Sequence, residues 1–413
     1  MRTLRALILI IVSMILWDDV YATNGDTLIG VAPASRAMGG TGVAAPQDAI
    51  SAIFANPAAI CMGPYCPGSQ VVFASTFFDP TVKATVSVSN GTSSAVHSVK
   101  SEMRPFIIPS VGLITPLTDR LRFGIGAFGI SGMGVDYRNS GIGLNPATPG
   151  SGNEGDIYTQ LQILKFAPNM AYLITPDVSV GASLHLLYGS LDLGQGAAHD
   201  YAFGGQVGAI YKFGPVSLGV NYNAPENIDH RNVSDFGTPP VKKSLSLESP
   251  QNVSLGAAWR PTSKLLVEAD VKWLNWSDAN GYKDFDWKDQ WVFAAGVQYK
   301  DPHGICIRGG YNYGNNPVRT HAGFDPAGTT VLQGNAVPTV LYEYLRIVGF
   351  PAIAEHHFSA SVGYRFSDTF EGHVGYMYSL NKKISETSAG GTFVFESEMR
   401  EVSYDLGLVW NLF

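Results

Sequence analysis

Only a few side chains in this sequence stand where they could do chemistry together. His357 and Ser359 lie two apart, the spacing that sets a base and a nucleophile on one face of a strand and would suit acyl transfer. Arg365 falls on the same polar face, and no acid or amide nearby in sequence offers to orient the imidazole. The stretch GTGVAA, residues 40–45, spells a dinucleotide-binding turn. That turn needs a strand before it and a long helix after it, and Pro46 falls where the helix should run. His185, His199, His303 and His373 are scattered without metal-ligand spacing. No catalytic residue, metal centre or cofactor is expected. Cys61 and Cys66 are near enough for a local disulfide in an oxidising compartment, with Cys306 left over; two thiols with no neighbouring His or Cys fall short of a four-ligand metal site. Glu268, Asp270, Lys272, Arg260 and Arg365 occupy polar faces, where pairing with one another is the expected structural role.

The elements that carry these residues have a period of two. Leu265, Val267, Ala269, Val271 and Trp273 alternate with Glu268, Asp270 and Lys272. Phe358, Ala360, Val362, Tyr364 and Phe366 face away from His357, Ser359 and Ser361, and Tyr404, Leu406, Leu408, Trp410 and Leu412 repeat the pattern. A soluble sandwich would also alternate, so the connections are more telling. Tight turns near 116–119, 176–177, 214–215, 261–264, 301–304 and 367–368 alternate with mostly longer links. Those links run near 79–102, 138–156, 230–243, 277–286, 315–354 and 382–395, and the one near 195–199 is short. Short turns on one side and long loops on the other are the pattern of an outer-membrane barrel. The expected fold is therefore all-β: a transmembrane antiparallel β-barrel of about 14 strands over residues 67–413. Closure follows because hydrocarbon offers no partner to free backbone groups. Trp259, Trp273, Trp291 and Trp410 suit the interfacial belts.

Composition agrees. Charged residues make up 15% of the chain, against roughly 25% for a soluble domain. The net charge of -7 is mild and no basic run is present, which excludes nucleic acid as a partner. Residues 1–22 read as a signal peptide: Arg2 and Arg5, an apolar stretch from Ala6 to Trp17, then Val20-Tyr21-Ala22 for cleavage. No later apolar run is long enough for a membrane helix. The expected location is the outer membrane of a bacterial cell.

Residues 23–66 stand between the signal and the barrel. Gly39, Gly40 and Gly42 permit tight turns, and Pro46 can open a short helix across Asp48–Phe54. Ile50, Ile53 and Phe54 form one apolar stripe. Pro57 stops the helix at Asn56, leaving its amide to bond nearby backbone. A segment of ~40 residues is too short for its own core and is expected to fold inside the barrel as a hatch.

Ser35-Arg36-Ala37-Met38-Gly39-Gly40, Pro46-Gln47-Asp48-Ala49 and Asn56-Pro57-Ala58 resemble the N-terminal hatch of the outer-membrane long-chain fatty acid and aromatic hydrocarbon transporters, the FadL/TodX-like family. Val267–Ala279, Ile307–Val318 and Gly349–Asp368 are similar to that family too. The resemblance implies a hatch-plugged barrel in which Gly39, Gly40, Phe54, Asn56, Pro57 and Ala58 serve hatch or gate. It also implies passive diffusion of hydrophobic molecules that leave sideways into the membrane, through a kink in the third strand. In LRFGIGAFGISGMGV, residues 121–135, alternation fails after Ala127, and Gly126, Phe128, Gly129 and Gly132 mark either that kink or an ordinary bulge. The Cys61–Cys66 pair is not part of the family motif. A general porin or a surface adhesin or receptor barrel is the alternative reading; the first has no use for a hatch, and the second would use the 315–354 loop. Expected partners are a hydrophobic small-molecule ligand and outer-membrane lipid, with the chain a monomer.

Overall fold

The computed structural model describes residues 23–103, 105–142, 144–145, 157–236 and 239–412. The signal segment expected over 1–22, and much of the link expected over 138–156, lie outside the described residues. Fourteen strands pair antiparallel, each with the next. The first seven are β1 (Ser69–Ser89), β2 (Phe106–Pro116), β3 (Leu121–Asp136), β4 (Tyr158–Thr175), β5 (Val178–Asp192), β6 (Ala198–Phe213) and β7 (Val216–Asn223). The other seven are β8 (Asn252–Trp259), β9 (Leu265–Leu274), β10 (Gln290–Lys300), β11 (Ile305–Gly314), β12 (His356–Arg365), β13 (Phe370–Ser379) and β14 (Phe393–Leu412). β14 pairs with β1 from Phe393–Val88 to Leu412–Ser69, so the sheet closes on itself and leaves no edge strand to satisfy in lipid.

The period of two explains which side chains meet lipid. Phe203 is 79% exposed and Leu184 73%, on strands whose alternate residues are buried. Trp259 and Trp410 sit at the short-turn rim, while Trp273 and Trp291 face each other in register at the long-link rim, which gives two aromatic girdles. Two links differ from expectation. β1 continues to Ser89 because the alternation of Val82, Ala84, Val86 and Val88 runs on beyond the expected loop start. The link expected at 230–243 spans 224–251, where Glu226–Ser234 and Lys243–Ser249 pair as a hairpin standing above the rim.

Residues 23–66 are largely buried and bond to inward-facing residues of the wall. They include two short helices, α1 (Pro33–Ala37) and α2 (Ala49–Ala55). Asp48 caps α2 by accepting from Ser51 N at 2.8 Å. Asn56 and Pro57 end it as the residue pattern requires. The wall is thinned where this backbone touches it. A Cβ on Gly208 of β6 would run into Asn56 Oδ1, and one on Gly310 of β11 would run into Gly39 N.

Candidate functional site

The leading segment is held by carboxylates from β9. Glu268 Oε1 accepts from Ala44 N at 2.9 Å and Ala45 N at 2.8 Å, and Asp270 Oδ2 from Gly42 N at 2.9 Å and Val43 N at 3.1 Å. The expected pairing of these charges across the lumen is therefore replaced. The buried backbone of residues 42–45 has donors that would otherwise go unmet, and Arg365 is exposed beside the short-turn rim. Toward β14, Arg36 of α1, fully buried, lies 2.9 Å from Asp405 and donates to Ser403 Oγ at 2.6 Å. Asn56 accepts from Ala58 N at 3.1 Å and donates to Val43 O at 2.7 Å, and it reaches Ala209 O and Val220 O on β6 and β7 at 3.3 Å each.

His357 and Ser359 do share the inward face of β12, but they serve different partners. Ser359 Oγ accepts from Gly39 N at 3.1 Å, and His357 Nε2 lies 3.7 Å from Glu401, an acid that β14 brings from elsewhere in the chain. Gly39 and Gly40 have φ of 71° and 83°, and Asn312 Nδ2 donates to Gly39 O at 2.9 Å. Cys61 and Cys66 are free thiols rather than the expected bridge. The Cys61 Sγ lies 3.8 Å from Arg120 O and the Cys66 Sγ 3.5 Å from Ile60 O, so each is turned to a separate carbonyl.

Between the leading segment and the long-link rim lies an open cavity with about 830 Å³ of empty space. Leu28, Phe54, Phe128 and Ile130 give it an apolar side, with Phe54 and Phe128 meeting edge to face at 5.7 Å. Lys165, His185, Gln206, Asn221, Glu226, Ser254 and Lys272 give it a polar one. Lys165 Nζ is 2.9 Å from Glu226 Oε2 and 3.1 Å from His185 Nδ1, and His185 also bonds Glu226.

The apolar side ends at an interruption in the wall. β2 pairs with β3 only as far as Ser110–Phe128, and its next residue, Pro109, has no N–H to continue the ladder. β3 runs on to Asp136 paired with β4 alone, through a register shift between Gly129 and Ser131. Gly126, Phe128, Gly129 and Gly132 thus stand at this break. The N-terminal segment takes up the freed edge: Gly132 N donates to Asp26 O at 3.2 Å, and Ser131 Oγ to Asp26 Oδ2 at 2.8 Å. Tyr282 OH donates to the same carboxylate. Tyr282 packs at a tilt against Trp276 and Trp287 at centroid distances of 4.6 and 4.7 Å, and the two tryptophans lie over Gly25. Burial pushes the Asp26 carboxyl up to about 6, against the opposing pull of the Tyr282 and Ser131 hydroxyls.

In the 315–355 link, fully buried Arg346 is 2.5 Å from Glu343 and 3.4 Å from Glu386, with His321 Nδ1 2.8 Å from Glu343. The guanidinium occupies the centre where a cation bound by these three ligands would sit. The hydrogen bond that its ring N–H donates to Glu343 holds the His321 imidazole above its ordinary range.

Asp26, Tyr282, Glu226 and Lys272 escaped the sequence reading as members of a site. Lys272 had a signal in its strand alternation; Glu226 and Tyr282 lie in links and Asp26 in the leading segment, where no period marks which way a side chain turns.

A closed barrel whose inward acids grip its own leading segment, beside a cavity that ends at a break in the wall, defines an outer-membrane channel protein. The chain belongs to the family described as outer membrane protein transport protein (OMPP1/FadL/TodX), whose model matches residues 27–234 and 197–323. That family is made of transport channels. The fold is similar to the toluene transporter TodX of Pseudomonas putida, at 19% identity and a TM-score of 0.67, over 93% of this chain and 99% of that one. A FadL homologue of Pseudomonas aeruginosa is similar at 14% identity and a TM-score of 0.66, over 95% and 100%. The monoaromatic hydrocarbon channel CymD is similar at 17% identity and a TM-score of 0.58, over 93% and 98%. Comparison with curated protein sequences gives no match.

Proposed function

We propose that the protein carries hydrophobic small molecules across the outer membrane by passive diffusion, with lateral release into the membrane. Residues 23–66 act as the hatch, and the break at Gly126, Phe128, Gly129 and Gly132 is the exit. The single observation that carries this reading is the continuity of the cavity's apolar side with the end of β2–β3 pairing at Phe128. Lateral release keeps apolar surface out of periplasmic water, worth ~25 cal/mol per Å². Asn56, Pro57 and Ala58 fix one end of the hatch to the wall, Gly39 and Gly40 the other, and Phe54 lies against Phe128 between cavity and exit. A ligand moves the hatch only as far as it binds one hatch position better than another. The chain works as a transporter and not an enzyme, and as a monomer, since its closed sheet needs no partner edge.

The test is to widen Gly129 and Gly132 to Leu singly and follow uptake of a hydrophobic tracer by cells. Both variants should assemble, with the heat-dependent gel mobility of a folded barrel, and take up tracer at about a tenth of the normal rate or less, roughly 1.4 kcal/mol on the exit step. Normal uptake by both would remove the exit from β3.

A further inference from the structure

One carboxylate inside the barrel lacks a counter-charge. β14 turns Glu401, Ser403 and Asp405 inward, and Arg36 of the leading segment pairs with Asp405 at 2.9 Å. Glu401, 0% exposed, has no such cation. Its Oε1 accepts the Thr23 hydroxyl at 2.6 Å, and its Oε2 is buried with no hydrogen-bond partner. Among the described residues its one ion-pair neighbour is His357, whose Nε2 lies 3.7 Å away, too far for a hydrogen bond. Both ring nitrogens of His357 are themselves buried and unpartnered, so a charged imidazole there would bury two N–H donors with no acceptor. A buried carboxylate that holds one hydroxyl and no close cation is costly.

A cation becomes available at this place when the signal peptide is removed. Thr23 is the first residue after the expected cleavage at Val20-Tyr21-Ala22. Hydrolysis of the 22–23 peptide bond by a signal peptidase consumes one water and leaves a carboxylate on Ala22 and an ammonium on Thr23. In the uncleaved chain that nitrogen is a neutral amide with one N–H; afterwards it is a cation with three. Thr23 is 3% exposed and is fixed by a tight turn, in which it pairs with Leu28 and Asn24 pairs with Thr27. A threonine nitrogen stands ~3–4 Å from its own Oγ1. With that hydroxyl on Oε1, the nitrogen comes beside the same carboxylate. We propose that Glu401 is the binding site for the chain's own α-ammonium, which fills the open position at Oε2. The leading segment then docks on β14 through two ion pairs, Arg36 with Asp405 and Thr23 with Glu401, and the second exists only in the processed chain. The proposal does not depend on what the barrel carries.

The test uses the mature protein, isolated from outer membranes in non-ionic detergent, and acetylation by an N-hydroxysuccinimide ester at pH 7. The tryptic peptide Thr23–Arg36 contains no lysine, so its acetylation, read by mass spectrometry after unfolding and digestion, reports the α-amine alone. Pairing with a carboxylate holds the amine in its charged form, which does not acylate. In the folded wild-type chain the reaction should be about 10-fold slower, or more, than in the heat-unfolded one. Burial alone would slow it too, so the variants decide. Glu401→Gln should raise the folded-state rate about 10-fold while native trypsin still spares Arg36. Should Glu401→Gln expose Arg36, an asparagine inserted between Ala22 and Thr23 takes its place. That insertion leaves Glu401 intact and moves the amine by one residue, and the rate should again rise about 10-fold. A mature chain that starts elsewhere than Thr23, a wild-type amine as reactive folded as unfolded, or a deciding variant as slow as wild type would overturn the pairing and leave the transport reading standing.

Discussion

Asp26 Oδ2 accepts the Ser131 hydroxyl at 2.8 Å, and so ties the first described turn of the chain to the register shift in β3. The same residue's backbone carbonyl accepts from Gly132 N. The N-terminal segment thus pairs with the stretch of β3 that β2 leaves unpaired, and it does so from inside the barrel.

Removing that carboxylate should loosen the closure without opening the barrel. In Asp26→Ala, hydrogen exchange across residues 129–135 should speed up by about 10-fold or more, because two hydroxyl donors lose their common acceptor and the Gly132 amide loses its support. Exchange in β9 and β10 should stay as it was. Unchanged exchange at 129–135 would mean that the wall break is held by something other than the N-terminal segment.

The thin places in the wall make a second prediction. Gly208→Val puts a side chain where Asn56 Oδ1 now lies. Overpacking of this kind costs about 1–3 kcal/mol, and here the leading segment should give way more readily than a closed sheet. Trypsin should then cut after Arg36, which is fully buried in the wild-type chain, while the barrel keeps its heat-dependent mobility. Resistance at Arg36 equal to wild type would show that Asn56 does not anchor the segment.

The long link should respond to pH through His321. Its folded-state value is raised above the ordinary 6.5 by the Glu343 hydrogen bond, so its contribution to holding the link is complete below 6.5 and is lost as pH rises through the raised value. Proteolysis within residues 315–355 should therefore be slower at pH 6 than at pH 9, and His321→Gln should remove the difference. A link that is cut equally fast at both values contradicts the assignment.

Much of the fold was legible because lipid enforces it. Where one face of a strand meets hydrocarbon, Phe358, Val362 and Tyr364 must alternate with inward polar residues, and short turns at 214–215 or 367–368 fix the count of strands. The helix of the leading segment was legible in part for the same kind of reason: Pro57 after Asn56 ends a helix wherever the segment lies. What escaped was pairing across the lumen. Glu268 and Asp270 looked like partners for Lys272 and Arg260, and only the path of residues 42–45 past β9 decides that backbone donors claim them instead. Asp26 and Tyr282 meet across 256 residues of chain, and no local pattern encodes that contact. The Cys61 and Cys66 spacing permits a bridge, but it does not set the directions of the two thiols.

The most direct test of lateral release is to seal the break in the wall. A Cβ placed on Gly129 lies 3.9 Å from the Ile108 Cβ, within the range of a disulfide, so Ile108→Cys with Gly129→Cys, in a chain whose three native cysteines are serines, stitches β2 to β3. Uptake of a hydrophobic tracer by cells should be nearly abolished when this bond is oxidised and restored when it is reduced. Uptake at the wild-type rate with the bond closed would contradict the account, because the molecule would then be leaving by another way.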